Sequence, residues 1–377
     1  MKKVLMVASV PSMLGQFNIG NLQLLQSMGY QVEVACNFND RSVWTEDCVK
    51  KFQDQLQEMN ISYYQIDFER NALRIKGHFK SYIQMKSLLK EKQYTFIHFH
   101  TPIAGAIGRL AAHKCKVRAV YTAHGFHFFK GAPLKNWLIF YPVERYFSRY
   151  TDVLITINKE DYRRAKKFHA KDVRYIPGVG VDTENFSYQH DGDDIRKEFG
   201  MDDSMKILLS VGELNENKNH EIIIRAMAKM QSKNICYMIC GIGGREEYLK
   251  ELARKSGVQD RVFLLGYRTD MKNIYAQADV FVFPSFREGL SVALMEAMAS
   301  GLPVVCSDIR GNRDLVVPQK GGYLLQGNSE ETYAQAMERI LTEKENSRDM
   351  SEYNKNRIKR FDRKNVDMKM KQIYAHF

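Results

Sequence analysis

The chain is expected to be α/β, in two domains each built on a parallel sheet. Short β-branched runs alternate with longer helical patterns from end to end, as strands joined by helical crossovers require. At 377 residues the chain is too long for one ordinary core. Near the middle, YIPGVGVDTENF (Tyr175–Phe186) and the acidic, hydrophilic Gln189–Glu198 break the alternation, which then restarts. The expected organisation is a first domain at 1–177, a linker at 178–204, a second domain at 205–349 and a C-terminal piece at 350–377.

Taken in order, the first domain offers strands at Val4–Val10, Val32–Cys36, Ser62–Ile66, Phe96–His100, Ala119–Thr122, Val153–Ile157 and Val173–Ile176. Helices fill the gaps; Phe17–Met28 is closed by Gly29, which suits a left-handed cap. The second domain opens with Lys206–Val211 and runs as strand–helix units to about Leu341. Met350–Phe377 is polar and basic with spaced apolar residues (Ile358, Phe361, Val366, Met370), as in helices lying on another surface.

Composition narrows the function. No apolar run reaches the roughly 18 residues of a membrane-crossing helix. MKKVLMVASV lacks a cleavage site and reads as a buried first strand rather than a signal peptide. Six cysteines show neither CxxC nor metal-ligand spacing, which suits a reduced cytosol. The net charge of +12 is concentrated in the first half: residues 1–177 hold 27 Lys+Arg against 14 Asp+Glu, residues 178–377 hold 29 against 30. Within it, FHFFKGAPLKNWLIFYPVERYFSRY (Phe126–Tyr150) mixes Lys130, Lys135, Arg145 and Arg149 with aromatic rings. That mixture suits an anionic membrane surface; a core-facing helix with a solvated basic face is the alternative. No nucleic-acid-binding motif accompanies the charge.

The most informative segment is SFREGLSVALMEAMASGLPVV, Ser285–Val305. DVFVFP before it reads as a buried strand, and a helix is expected over Leu290–Ser300. Ligands of open α/β sheets gather outside the carboxyl ends of the strands. Amides of Gly289, Leu290 and Ser291 at a helix start would suit an anion. A carboxylate accepts hydrogen bonds from paired hydroxyls. Glu288 and Glu296 around an anion site therefore describe a nucleoside diphosphate carrying a sugar: Glu296 on the ribose, the helix start on the diphosphate, Glu288 on the sugar. The competing reading is a buried ion pair for Glu296 and a solvated Glu288.

With its neighbours this segment resembles the retaining family-four glycosyltransferases of GT-B fold. REGLSVALMEAMASGLPVVCSD is similar to their Glu-x7-Glu signature, VGELNENKNHEIIIRAM (Val211–Met227) to their phosphate-binding strand-loop-helix, and YIPGVGVDTENF to their interdomain linker. FIHFHTP and YTAHGFHF resemble acceptor-side loops of the branch that builds bacterial capsular and exopolysaccharides. The resemblance implies two Rossmann-like domains facing a central cleft, with the C-terminal helix crossing back to the first. It implies that Lys218 neutralises the donor diphosphate, that backbone near Gly15 approaches the phosphates, and that His124 lies near the reacting sugar and the acceptor. Tyr267 and Arg268 would border the base; His100 and Lys130 belong to the acceptor side. The implied donor is a nucleotide sugar, UDP-linked, carrying a hexose or N-acetylhexosamine. The implied acceptor is a lipid-linked glycan at the cytoplasmic face of the membrane.

Two departures stand out. Glu213 occupies a position where many relatives carry arginine, so Arg287 is a candidate for the missing cation, an exposed arginine being the alternative. Only Gly15 remains of a glycine pair. No cofactor and no metal are expected. No Asp-x-Asp pair is placed to hold one; Asp193–Asp194 and Asp202–Asp203 fall in or near the linker. The His-x-His pair His98 and His100, with His124 and His127, has no matching carboxylate or cysteine nearby. CGIGGREEYL lacks the GxGxxG register and reads as a tight turn. A sugar-nucleotide epimerase and a non-catalytic binding partner in polysaccharide assembly are the other classes left open. Paired carboxylates also raise glycoside hydrolysis, but Glu288 on hydroxyls would leave no nucleophile.

Overall fold

All seven strands expected in the first half form, and they pair in parallel: β1 (Lys3–Val7), β2 (Gln31–Cys36), β3 (Ser62–Gln65), β4 (Phe96–Phe99), β5 (Arg118–Ala123), β6 (Val153–Thr156) and β7 (Asp172–Tyr175). The computed structural model describes residues 2–187 and 194–377; part of the expected stretch Gln189–Glu198, with Asp193, lies outside the described residues. It divides into one unit of Met1–Val179 with Val366–Phe377 and a second of Gly180–Asn365.

In the first unit the sheet order is β3-β2-β1-β4-β5-β6-β7, so it grows in both directions from β1 and reverses between β1 and β4. Side chains alternate as the pleat requires: Val4 and Met6 enter one core, Leu5 and Val7 the core on the opposite face. Helices α1 (Pro11–Phe17), α2 (Ile19–Ser27), α3 (Glu46–Glu58), α4 (Ile75–Glu91), α5 (Pro102–Lys114), α6 (Leu134–Phe147) and α7 (Lys159–Ala165) cover these faces. The helix expected at Phe17–Met28 is two helices, and it starts earlier. Pro11 takes the first helical position, where its missing N–H costs nothing. Asn18 separates α1 from α2, its amide donating to the Met13 carbonyl at 2.9 Å. Gly29 closes α2 at φ +83°.

In the second unit six strands are again parallel, in the order β10-β9-β8-β11-β12-β13. They are β8 (Lys206–Val211), β9 (Ile235–Cys240), β10 (Val262–Gly266), β11 (Val280–Phe283), β12 (Val304–Ser307) and β13 (Gly322–Leu325). The order reverses between β8 and β11. Around them lie α8 (Thr183–Phe186), α9 (Ile195–Glu198), α10 (His220–Lys229), α11 (Glu246–Lys255), α12 (Met271–Gln277), α13 (Val292–Ala299), α14 (Arg310–Leu315), α15 (Glu330–Thr342) and α16 (Lys344–Ile358). Most of the segment expected as a linker counts with this unit: Phe186 meets the Tyr275 ring at 5.8 Å, and the Ile195 amide donates to Gln277.

The C-terminal piece differs from expectation in one respect. Met350–Ile358 belongs to α16 and stays with the second unit, because the buried Asn354 amide bonds the Leu302 and Gly321 carbonyls, both at 2.8 Å. From Val366 onward, α17 (Arg363–Tyr374) belongs to the first unit. There Tyr374 stacks on Phe96, and its hydroxyl shares a 2.9 Å hydrogen bond with His98 Nδ1.

Candidate functional site

Ligand crevices of open α/β sheets lie where the strand order reverses, outside the carboxyl ends. In the second unit that rule selects the loops after β8 and β11, and these are the loops that carry Lys218 and Glu288. Two asparagines staple them together. The Asn217 side chain donates to the Arg287 carbonyl at 3.1 Å, and Asn219 donates to the Pro284 carbonyl at 3.2 Å. Asn219 holds φ +53°, a backbone that asparagine tolerates and that lets α10 begin at once.

Thus positioned, the Lys218 ammonium lies 2.7 Å from a Glu288 carboxylate oxygen and 4.8 Å from the centre of the Phe283 ring. Both side chains are largely buried, 19% and 15% exposed. Arg310 donates to the Glu288 carbonyl at 3.1 Å from the start of α14. Sequence reading missed Arg310, Asn217 and Asn219; the available signal was their position just past a strand end. It missed His220 too, whose ring meets the Tyr237 hydroxyl at 3.1 Å, and burial with the Lys218 charge lowers its pKa to about 4.

The helix after β11 starts two residues later than expected. Ser291 is its cap, with Oγ accepting from the Leu294 amide, and α13 begins at Val292. Gly289, Leu290 and Ser291 therefore precede the helix rather than begin it. Among the described residues, their amides find no backbone acceptor. Glu296 lies on α13 and takes a 3.1 Å hydrogen bond from the Tyr275 hydroxyl. Burial raises its pKa to about 7, offset in part by that bond and by the charge of Arg363.

The other donor-side candidates sit at the edge. Glu213 and Arg287 are exposed, and Tyr267 is 75% exposed. The Arg268 guanidinium is held by Glu198 at 2.6 Å and Asp270 at 2.7 Å, so a nucleobase would have to compete with two carboxylates. Gly241 and Gly243 of CGIGGREEYL serve close packing: a Cβ on Gly241 would stand 1.9 Å from the Gly212 carbonyl oxygen, and one on Gly243 2.5 Å from that of Leu214.

In the first unit the order reverses beside β1 and β4, which lead to Gly15 and His100. Gly15 was expected in a loop and lies inside α1. Its bare Cα is pressed on Trp44, where a Cβ would come within 2.3 Å of the ring. His100 was expected on the acceptor side but is only 2% exposed, because its amide extends the ladder to the Val7 carbonyl and turns the ring inward. It touches His124 instead, Nδ1 to Nε2 at 3.2 Å. His100 Nε2 is buried with no hydrogen-bond partner. A stranded lone pair costs less than a stranded N–H, so His100 carries its proton on Nδ1 and donates it to His124. His124 then presents Nδ1–H as a donor. Burial lowers the pKa of His124 to about 4 and that of His98 to about 3, and holds His100 well below the usual range. His98 is fixed by Tyr374 and by Thr122, the latter at 2.8 Å. Lys130 is exposed, and its amide donates to Glu160.

Comparison with known proteins gives the family and the fold. Residues 191–357 match the model "Glycosyl transferases group 1", and residues 22–185 match "Glycosyltransferase Family 4". A glycosyltransferase named EpsD from Bacillus subtilis is 32% identical over 385 residues, covering 100% of this chain and 97% of the relative. The UDP-Gal:alpha-D-GlcNAc-diphosphoundecaprenol alpha-1,3-galactosyltransferase of Escherichia coli is 31% identical over 73% of each chain. The crystal structure of Anabaena HepE with UDP and glucose superposes with a TM-score of 0.80 at 17% identity, covering 100% of both chains; this is the GT-B fold.

Proposed function

Since this chain belongs to the group 1 and family 4 glycosyltransferases, we propose that it moves a sugar from a UDP-linked donor to a lipid-linked glycan, with retention, in exopolysaccharide or related surface-glycan assembly. The observation that carries the reading is the Lys218–Glu288 pair at the strand reversal, with Glu296 buried on the helix that follows. A donor exchanges partners within that pair. The diphosphate takes Lys218, and Glu288 turns to the hydroxyls of the transferred hexose or N-acetylhexosamine. Glu296 accepts from the ribose, with Tyr275 holding one oxygen in place. Gly289, Leu290 and Ser291 offer their amides to the diphosphate, while Tyr267 and Arg268 stand toward the base.

Cleavage of the C1–O bond leaves charge on the diphosphate, so fixed positive groups there lower the barrier most. The leaving phosphate takes the acceptor's proton. His124 serves as a neutral hydrogen-bond donor, since a group with a pKa of about 4 is uncharged at physiological pH. Relatives support the substrates: one is named for a diphosphoundecaprenol-linked acceptor, and one neighbour was crystallised with UDP and glucose. The reading has the protein working at the cytoplasmic face of the membrane, attached peripherally. Among the described residues no helix is long and apolar enough to cross it.

The test is a thermal-shift panel of UDP-, GDP- and ADP-sugars, followed by turnover of the stabilising donor with and without a polyprenyl-diphosphate sugar. Stabilisation by a UDP-sugar and acceptor-dependent release of UDP are expected. Donor consumption that ignores the acceptor would move the assignment to an epimerase or hydrolase.

A further inference from the structure

The first unit contains an apolar cavity of about 110 Å³ that the donor chemistry does not use. It opens beside the segment Gly125–Phe128, directly after His124, between α5 and α6. Phe126, Phe128 and Phe140 wall it, and Ala106 lines it from α5. The carboxylate that lines it is already committed. One Glu144 carboxylate oxygen accepts from Arg109 at 2.9 Å and the other from the Tyr121 hydroxyl at 3.2 Å. The lining is mostly hydrocarbon and aromatic, so a hydrocarbon would lose water and gain contacts there. A cavity of this size holds one small hydrocarbon group, on the scale of benzene or an isoprene unit.

Its mouth faces solvent and stays apolar. Ile139 and Val143 line the cavity and are 55% and 41% exposed. Leu134 and Leu138 extend that face along α6, and on α4, which flanks α5 on its other side, Ile75, Phe79 and Ile83 form an exposed stripe at four-residue spacing. Lys76, Lys135 and Arg145 are exposed on the same two helices, while the acid of α6, Glu144, is turned inward. Cations beside an apolar mouth complement an anionic amphiphile.

We propose that this cavity binds the first isoprene unit of a polyprenyl-diphosphate acceptor, so that the lipid is recognised as well as its sugar. The proposal rests on the acceptor reading above, and its test is a binding measurement made without any donor. Titrate the whole protein with farnesyl diphosphate and with inorganic pyrophosphate, then repeat with Ala106→Leu, which fills the cavity, and Ile139→Glu, which charges its exposed mouth. Wild type should prefer farnesyl diphosphate, and each variant should weaken it about tenfold or more while leaving pyrophosphate unchanged. Ala106→Leu should bind phosphatidylglycerol vesicles as wild type does. Equal affinity for the two diphosphates would overturn the proposal. So would an Ala106→Leu protein that keeps the preference, or that loses vesicle and farnesyl binding in parallel. Failure of sugar transfer with every acceptor would sink the functional reading and leave this binding result standing.

Discussion

The two units share a parallel sheet that grows outward from its first strand, yet the carboxyl ends of the strands are furnished differently. In the first unit three imidazoles, His98, His100 and His124, are packed against one another and held neutral by burial. In the second, Lys218 and Glu288 form a close ion pair, and burial holds the Glu296 carboxyl toward its neutral form. One physical cause, desolvation, lowers the pKa of the bases and raises that of the acid. Topology chooses where a site can be; side chains choose whether it donates hydrogen bonds or carries charge.

Acid should separate the two units most strongly. Between pH 6.5 and about 4, an unfolded chain binds protons that the buried histidines refuse. Stability therefore falls as pH drops through that window, with a slope of at most about 1.4 kcal/mol per pH unit for each histidine. Glu296 runs the other way: with its pKa raised to about 7, its contribution is present at low pH and lost as pH rises from 4.5 to 7. In the second unit it opposes His220, whose sign matches the other histidines. Hydrogen-exchange protection, corrected for intrinsic rates, should drop more in the first unit than in the second between pH 7 and pH 5. Equal losses would break the comparison.

Next in size is Lys218→Ala. Removing a preorganised positive group from a developing charge costs about 3–4 kcal/mol, so kcat/KM should fall at least a hundredfold. A preserved rate would take Lys218 out of the mechanism. His100 sharpens the other side: His100→Leu should lower kcat about tenfold with donor KM unchanged, and His100→Asn, whose amide stands where Nδ1 does, should restore most of it. If both variants behave alike, His100 does not set the His124 tautomer. Tyr275→Phe removes one hydrogen bond to Glu296, worth about 1 kcal/mol. Donor KM should rise about fivefold, and more below pH 7, where the unsupported carboxyl takes up its proton. The smallest change belongs to Arg287→Ala: the side chain is exposed, and donor KM should stay within about threefold. A larger rise would restore Arg287 as the cation missing at Glu213.

Much of this was legible without coordinates. The buried first strand and the Gly29 cap are local patterns, set by pleat and backbone freedom; the cap formed as read, and the strand expected at Val4–Val10 formed as Lys3–Val7, because Pro11 turns the chain into a helix. Local pattern failed where a single residue redirected the chain. Pro11 started a helix that swallowed Gly15, and Ser291 capped α13 two residues past the expected start.

The sequence alone determined the two α/β halves, the family, and the residue types Lys218, Glu288 and Glu296, because periodicity and motif spacing are written along the chain. Only the tertiary structure decided that Lys218 and Glu288 are ion-paired, that Glu296 leans on Tyr275, and that His100 is sealed behind His124. Those outcomes depend on strand order and on which side chains lose water together, and neither is a property of any one segment.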